Sequence, residues 1–334
     1  MKNDYFISLL FGFVLFTVEI FRADFAYSER YVKVAAVGNT PELTDIENKQ
    51  EIVDYVISFW DKELKKVLKA RPDLIVLPEF CDLSTAGVEY MKVRKNQVLD
   101  YFASLAKKNK CYIAFGMGRQ DKAGFWRNSC VVLGRNGEIT GIYDKNFPTI
   151  AEMDAGIKAS DDAHVIECDF GRLGIAICFD LNFEELRDTY ARSRPDIIIY
   201  PSMSHGGLLQ NMWAYICQSY FIGSIYRGFP SEIRNPLGDV IASSTNKNDY
   251  VVLKINLDFK IVPVAYNYNN LAALKSKYGK TVKISDPGEN GSVLVTSRNK
   301  SISAGEMIKE FKIELFDEYL DRAREIRMEE GNME

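Results

Sequence analysis

Short apolar runs alternate with amphipathic segments along most of the chain after residue 30. Residues 31–37 (YVKVAAV) predict a strand, and residues 74–78 (LIVLP) predict a buried strand that ends at a proline. Between them, apolar side chains recur at helical spacing up to about residue 70, and they are Ile52, Val56, Phe59, Trp60, Leu64, Val67 and Leu68. Thr44 and Glu47 form a capping-box signature ahead of this predicted helix.

The alternation continues to about residue 255 and predicts a layered α/β fold with a mixed sheet. Asn136-Gly137 separates two apolar runs, which predicts a hairpin at this point. Further strands are predicted at 111–117, 127–134, 138–143, 163–168, 172–177, 196–200, 221–226, 232–235, 239–243 and 249–255. Further helices are predicted at 96–109, 183–193 and 208–219. Helices interleaved with strands, some of them linked as hairpins, are typical of this fold class.

The C-terminal part is harder to interpret. Residues 304–329 predict one charged helix with a sparse apolar side. Such a helix either packs on its own domain or forms a subunit contact, and the sequence leaves both open. We therefore divide the chain into a leader at 1–26, a main domain at 30–260 and a C-terminal extension at 261–334.

The N-terminus has the pattern of a secretory signal. Lys2 precedes an apolar run at residues 5–18, and Ala26 is a suitable last residue of the leader. The run is shorter than the ~20 apolar residues that a membrane span needs. We therefore expect a cleaved signal and a periplasmic or secreted protein. An uncleaved membrane anchor and a cytoplasmic protein with a misassigned start are the alternatives.

Composition and charge exclude several classes of protein. The chain of 334 residues is 47% hydrophobic and 26% charged, which suits a folded protein with a large core. Its net charge is −4 without a basic block, so no nucleic-acid surface is expected. Its six cysteines include no CxxC pair and it has only two histidines, so no zinc site is expected. A disulfide framework is not expected either, because a domain of this size does not need one for stability.

Three reactive side chains follow predicted strands. Glu79 comes directly after the buried strand at 74–78, Lys145 closes the second strand of the hairpin, and Cys178 ends the apolar run at 172–177. The carboxyl ends of strands are where open α/β sheets place their sites. A carboxylate can act as a base, an ammonium can stabilise an oxyanion, and a thiolate can act as a nucleophile. Each residue taken alone is more simply explained as a loop charge or a core cysteine.

Taken together, the order, spacing and flanking residues of these side chains resemble the nitrilase superfamily of carbon–nitrogen hydrolases. The motifs that carry the resemblance are LPE at 77–79, NSCVVLGRNGEITGIYDK at 128–145, PTIAEMDAGI at 148–157, FGRLGIAICFDLNFEELR at 170–187 and RPDIIIYPS at 194–202. The resemblance covers about residues 30–255. It is specific, because three motifs appear in the family's order together with their flanks.

The resemblance implies an αββα sandwich, four-layered when the chain dimerises, with a Glu79–Lys145–Cys178 triad in a pocket at the strand ends. Glu79 would take the proton from Cys178, and the sulfur would attack a carbonyl or nitrile carbon to give a thioester. Lys145 and the backbone N–H of Phe179 would stabilise the oxyanion. Glu152 matches an additional glutamate that orients the lysine and the substrate. No metal or organic cofactor is implied, and a homodimer or higher homo-oligomer is expected.

The expected reaction is hydrolysis of a small non-peptide amide. A nitrile, an N-carbamoyl compound or acyl transfer to another amine is compatible with the same triad. A non-catalytic binding protein of the cell envelope is a further alternative. No substrate-binding residue is identified, and the loops expected to shape specificity lie at about 80–90, 146–160 and 202–212.

Three other residues near the motifs receive structural interpretations. Arg187 matches an arginine of the family and is expected to pair with an acidic neighbour. His205 is expected to be a loop histidine with an internal partner. Asp180, two residues after the cysteine, is expected where the chain leaves the core.

Overall fold

The computed structural model describes residues 30–43, 45–285 and 291–331. The predicted signal peptide at 1–26 and Thr44 of the predicted capping box lie outside these residues. No helix in the described ranges combines the length and the apolar character that crossing a bilayer requires.

The described residues form helices and strands that we number in chain order. The strands are β1 (Tyr31–Val37), β2 (Leu74–Val76), β3 (Tyr112–Gln120), β4 (Trp126–Leu133), β5 (Ile139–Asp144), β6 (Ile166–Cys168), β7 (Gly171–Ile175), β8 (Ile197–Ser202), β9 (Tyr220–Ile225), β10 (Glu232–Arg234), β11 (Val240–Ser243), β12 (Tyr250–Asn256), β13 (Phe259–Pro263), β14 (Val282–Ser285) and β15 (Ser292–Ser297). The α-helices are α1 (Lys49–Leu68), α2 (Val88–Arg94), α3 (Gln97–Asn109), α4 (Ile150–Asp154), α5 (Glu184–Ser193), α6 (Leu208–Cys217), α7 (Tyr268–Tyr278), α8 (Ala304–Glu310) and α9 (Phe316–Gly331).

Two six-stranded mixed sheets form the centre of the molecule. The strand order is β12-β1-β2-β3-β4-β5 in the first sheet and β11-β10-β9-β8-β7-β6 in the second. Strands β1, β2 and β3 are parallel, as are β7, β8 and β9, whereas their neighbours towards the edges are antiparallel. Parallel neighbours need crossover connections. Helices α1 and α3 lie in the crossovers of the first sheet, and α5 and α6 in those of the second.

The side-chain alternation of β1 shows how the layers are built. Val34 and Ala36 belong to the buried cluster that lies between the sheets, together with Ile175 of the second sheet. Ala35 and Val37 belong to the cluster beneath α1 and α3. Successive side chains of a strand point to opposite faces, so one strand can serve both cores. The order is therefore helix, sheet, sheet, helix. The predicted α/β sandwich is confirmed, and its four layers already exist within one chain.

Helix α1 begins after the predicted capping pair. Its N-cap is Asn48, whose side-chain oxygen accepts from the Gln50 N–H at 3.0 Å. Asparagine is among the preferred N-cap residues because its side chain satisfies a backbone N–H that has no partner within the helix. Helix α2, which follows the loop after β2, was not predicted.

The C-terminal extension differs from the prediction. Its strands form a separate three-stranded sheet of order β13-β15-β14, with a core of its own. The predicted single helix at 304–329 is wrong, because residues 311–315 separate α8 from α9. Asn267 fixes this break: its side chain donates to the Glu314 carbonyl at 3.1 Å and accepts from the Glu314 N–H at 3.2 Å.

Candidate functional site

The three predicted reactive residues lie just beyond the carboxyl ends of three strands. Glu79 follows β2, Lys145 follows β5, and Cys178 follows β7 at the start of a 3-10 turn, Cys178–Asn182. The ends of β2 and β5 belong to the first sheet and the end of β7 to the second. Stacking of the two sheets therefore brings residues from both of them to one edge of the sandwich.

Lys145 lies between two carboxylates. Its Nζ is 2.9 Å from Glu79 Oε1 and 2.9 Å from Glu152 Oε2. The Lys145 and Glu79 side chains are only 1% and 2% exposed, so the contact is shielded from solvent. Burial by itself lowers the pKa of the Lys145 ammonium, but the charges of Glu79 and Glu152 outweigh it and hold that pKa above its ordinary value.

Glu152 is held at the start of α4. Thr149 and Glu152 form a capping box: the Glu152 N–H donates to Thr149 Oγ1, and the Thr149 N–H donates to Glu152 Oε2 at 2.8 Å. Burial raises the pKa of Glu152, but the Lys145 charge and these hydrogen bonds outweigh it, so the pKa lies below its usual value. Glu152, which the sequence had singled out, is thus a charged partner of Lys145.

Asn128 joins the same two carboxylates and was not singled out as a site residue by sequence. Its Nδ2 donates to Glu79 Oε1 at 2.8 Å and to Glu152 Oε1 at 2.6 Å. Its Oδ1 is buried and has no hydrogen-bond partner in the described part of the chain. Such a buried unsatisfied acceptor typically costs about 1–3 kcal/mol. The sequence signal that could have identified Asn128 as a site residue was a polar side chain on the buried strand β4.

Cys178 has an uncommon backbone conformation. Its φ is +46°, in the left-handed region that non-glycine residues seldom adopt. The Tyr200 hydroxyl donates to the Cys178 carbonyl at 3.1 Å and helps to hold this turn. The Cys178 side chain is half-buried. The arrangement resembles a nucleophile elbow, in which a tight turn after a strand exposes the reactive atom.

The environment of the Cys178 sulfur favours the neutral thiol at rest. Burial raises the pKa of the Cys178 thiol to about 11, and the negative charge of Glu79 contributes to the rise. The Lys145 ammonium and hydrogen bonds from the Ser202 side chain and the Met203 N–H act in the opposite direction. The thiolate is the reactive form, so this cysteine needs a base to become a nucleophile.

Glu79 is placed to interact with that sulfur. Its Oε2 accepts from the Met203 N–H at 3.1 Å, and the same N–H interacts with Cys178. Its other oxygen, Oε1, is occupied by Lys145 and Asn128. The Oε2 atom is therefore the carboxylate oxygen on the side of the cysteine.

Asp180 connects the lysine loop to the cysteine turn. Its carboxylate accepts from the Tyr143 hydroxyl at 2.8 Å, the Phe147 N–H at 2.9 Å and the Ile177 N–H at 2.8 Å. The side chain is fully buried, which contradicts the expectation that the chain leaves the core here. Burial raises the pKa of Asp180 to about 6, although the three hydrogen bonds oppose the rise.

Apolar side chains surround these polar groups. The Phe147 and Phe183 rings stack at 3.9 Å between centroids, and Phe179 meets Phe183 edge to face at 5.3 Å. Phe179 is 38% exposed and Met203 is 42% exposed. The residues next to the cysteine therefore present apolar rather than charged side chains to solvent.

Arg187 and His205, unlike Asp180, have the acidic or internal partners that were expected. Arg187 pairs with Asp188 at 3.0 Å. His205 Nε2 lies 3.1 Å from Glu232 Oε2.

All six cysteines are free, and the described residues contain no group of three or more His, Cys, Asp or Glu side chains that could hold a metal ion.

Comparison with known proteins shows similarity over most of the main domain. The family model described as "Carbon-nitrogen hydrolase" matches residues 33–251. The omega-amidase NIT2 of Xenopus tropicalis is 23% identical over 59% of this chain and 82% of that protein. Nitrilase homolog 2 of Dictyostelium discoideum is 27% identical over 57% of this chain and 61% of that protein.

Solved structures share the architecture. Nit3 of Saccharomyces cerevisiae, described as a member of the nitrilase superfamily, superimposes with a TM-score of 0.57 at 18% identity and covers 77% of this chain and 97% of that one. An amidase from Nesterenkonia sp. superimposes with a TM-score of 0.56 at 14% identity and covers 74% of this chain and 96% of that one. At such identities the likeness establishes the fold.

Proposed function

Because the chain belongs to the carbon–nitrogen hydrolase family, the nitrilase superfamily, we propose that it is an amidase that releases ammonia from a small non-peptide amide through a thioester on Cys178. The observation that carries the proposal is the Lys145 ammonium, held between the carboxylates of Glu79 and Glu152 beside a half-buried cysteine. These groups match the needs of an acyl transfer: a base, a nucleophile and a fixed positive charge.

In the proposed first half-reaction, Glu79 takes the proton from Cys178 as the sulfur attacks the amide carbon. Negative charge develops on the amide oxygen, where Lys145 Nζ and the Phe179 N–H stabilise it. The first N–H groups of a helical turn have no partner inside the turn, which suits Phe179 for this role. Removing one such donor typically costs about 2.7–4 kcal/mol of activation free energy. The C–N bond then breaks, and the proton held by Glu79 passes to the leaving ammonia.

In the second half-reaction, water attacks the thioester. Glu79 takes a proton from this water and later returns it to the Cys178 sulfur, which releases the carboxylic acid. Glu152 has a different role in the proposal. Its contact with Lys145 at 2.9 Å and its capping box with Thr149 keep the ammonium in place throughout.

An amide is favoured over the other substrates of the triad because similar proteins are named as amidases. A mutant of the Nesterenkonia amidase carries acrylamide added at its active-site cysteine. The decisive comparison uses butyramide, butyronitrile and N-propylurea, which share a propyl group. We expect ammonia and butyrate from the amide and no turnover of the other two. Turnover of the nitrile or the urea alone would overturn the amide assignment.

The Cys178→Ala variant tests the nucleophile. We expect it to lose measurable turnover and to keep the unfolding transition of the wild type, because it removes one half-buried sulfur. Cys168→Ala is the matched control, since Cys168 is also a free, half-buried cysteine at a strand end. It should retain wild-type turnover. Undiminished ammonia release by the Cys178→Ala variant would contradict the mechanism. Equal reactivity of the Cys178 and Cys168 thiols of the wild type towards a thiol reagent would favour a non-catalytic binding protein.

We further propose export and self-association, which the sequence predicts. A cleaved signal would leave a mature chain that begins at Tyr27, so N-terminal sequencing of protein from the native cell envelope tests it. Sedimentation of the purified protein tests the homodimer or higher oligomer. A protein that starts at Met1 or sediments as a monomer would contradict the respective proposal.

A further inference from the structure

The two carboxylates of the site share more than the lysine. Asn128 Nδ2 has two hydrogens, and it donates to Glu79 Oε1 at 2.8 Å and Glu152 Oε1 at 2.6 Å. Lys145 Nζ bonds the same two residues at 2.9 Å each. The four side chains thus form a closed ring in which two donors alternate with two acceptors.

The ring carries an excess of negative charge, which Asn128 offsets only by donating hydrogen bonds. Two carboxylates face one ammonium, and the Lys145, Glu79 and Asn128 side chains are almost fully buried. Two like charges in a buried site disfavour each other's ionisation, whereas hydrogen bonds to the charged form favour it. The Asn128 amide is a second side-chain donor to both carboxylates, in addition to Lys145.

The orientation of the Asn128 amide is defined by its surroundings. With its amide reversed, Oδ1 would face two carboxylate oxygens. In the observed orientation Oδ1 is instead buried without a partner among the described residues. The backbone contributes as well, because the Asn128 carbonyl accepts from the Lys145 N–H at 2.8 Å. The residue therefore contacts both the lysine and its two acidic partners.

From this geometry we infer that Asn128 is a positioning residue that holds both carboxylates against Lys145 and turns Glu79 Oε2 towards Cys178. By occupying Oε1 of Glu79 together with Lys145, Asn128 leaves Oε2 as the oxygen that receives the thiol proton. The expected effect of Asn128 on turnover rests on the proposed function, whereas the ionisation of the ring can be measured without a substrate.

The test compares wild type, Asn128→Ser and Asn128→Ala in two assays across pH. The first is the kcat/KM of amide hydrolysis. The second is the rate of Cys178 alkylation by iodoacetamide, followed by peptide mapping, which needs no turnover. Loss of the Asn128 amide removes hydrogen bonds that favour the charged form of a carboxylate. The acidic inflection of both pH–rate profiles should therefore move to higher pH. We expect a shift of about one pH unit for Asn128→Ala, a roughly tenfold change in proton affinity.

The two variants should differ in degree. Serine keeps one hydroxyl donor, so its shift should be smaller than that of alanine. We expect kcat to fall on the order of 10–100-fold in Asn128→Ala, as is typical when a residue that supports a reactive centre is removed, with KM nearly unchanged. Asn267→Ala is the control, because Asn267 is also a buried asparagine, bonded to the Pro263 and Glu314 carbonyls in the C-terminal extension. It should lower stability without moving either inflection.

The outcomes separate the two proposals. Alkylation profiles that shift as expected, in a protein that hydrolyses no amide, would overturn the proposed function and support the role of Asn128. Normal turnover with coincident acidic inflections in wild type and Asn128→Ala would overturn the role of Asn128 alone. A loss of rate that follows only the fraction of unfolded protein, as in Asn267→Ala, would likewise show a merely structural residue.

Discussion

At the scale of single residues, Glu79 has two opposing effects on Cys178. As a negative charge next to the sulfur it helps to raise the pKa of the thiol to about 11, after the larger effect of burial. As the proposed base it offers Oε2 for the proton that the sulfur must lose. A resting thiol that becomes a nucleophile only when a base takes its proton is protected from unwanted reactions.

Exchange of Glu79 for glutamine separates these effects. Glu79→Gln removes the negative charge, so the pKa of Cys178 should fall below about 11, because one cause of its rise is gone. Turnover should be lost, because glutamine cannot accept the proton. The measurement is the alkaline inflection of Cys178 alkylation by iodoacetamide, with wild type as the reference. An inflection at or above the wild-type pH, or retained hydrolysis, would contradict this account of Glu79.

At the scale of elements, close approach of β3 to the end of β2 fixes the position of Glu79. A Cβ on Gly116 of β3 would lie 2.6 Å from Glu79 Cα and 2.7 Å from the Pro78 carbonyl oxygen. Both are backbone atoms, which cannot move aside as a flexible side chain can. The Gly116 N–H also donates to the Pro78 carbonyl at 3.2 Å. Only glycine allows this contact at the position that carries the base.

Gly116→Ala therefore tests how accurately the strand end must be placed. We expect a loss of about 1–3 kcal/mol of unfolding free energy from overpacking and a fall in kcat larger than the unfolded fraction explains. Gly305→Ala is the control, because its Cβ would come no closer than 3.5 Å to another heavy atom and it lies in α8. Alanine there should be neutral or stabilising by up to about 1 kcal/mol. Wild-type kcat and stability in Gly116→Ala would refute the constraint.

At the scale of the whole molecule, the C-terminal extension is attached to the main domain through a small apolar contact. Leu237, in the turn between β10 and β11, is 3% exposed and packs with Ile261 of β13 and Leu294 of β15. Polar contacts add to it, since Asp317 of α9 accepts from Arg194 at 2.7 Å and from Gln218 at 2.6 Å. The extension thus packs as a folded unit against the second sheet and its helices.

Leu237→Ala should weaken this attachment. Removing a buried leucine side chain typically costs about 2–5 kcal/mol, and here the loss should appear as earlier proteolytic cleavage within the extension and a lower midpoint of thermal unfolding. Val240→Ala on the neighbouring strand β11 is the control, because Val240 is 45% exposed and such changes usually stay within about 0.5 kcal/mol. Equal protease resistance of both variants would show that Leu237 does not hold the extension.

Elements and the reactive residues at their ends could be predicted because both are local properties of the chain. Apolar periodicity and turn residues located β1, α1 and most strands of both sheets. Glu79, Lys145 and Cys178 were singled out because the motifs around them resemble one family. The ends of helices were less predictable. The cap at Asn48 and the break between α8 and α9 depend on single side chains, one of them Asn267, which lies 47 residues from its partner Glu314.

The layered α/β class and the family could be inferred from the sequence alone, and so could the candidate reactive groups, because each motif is a contiguous stretch of the chain. Only the tertiary structure decided which groups meet. Asn128 donates to Glu79, which is 49 residues away in the chain, and to Glu152, which is 24 residues away. The buried Asp180 accepts a hydrogen bond from Tyr143, which is 37 residues away. The Asn128 contacts depend on how strands pair within the first sheet, and the Asp180 contact depends on how the two sheets stack. Both are set by the packing of the whole core rather than by any local pattern.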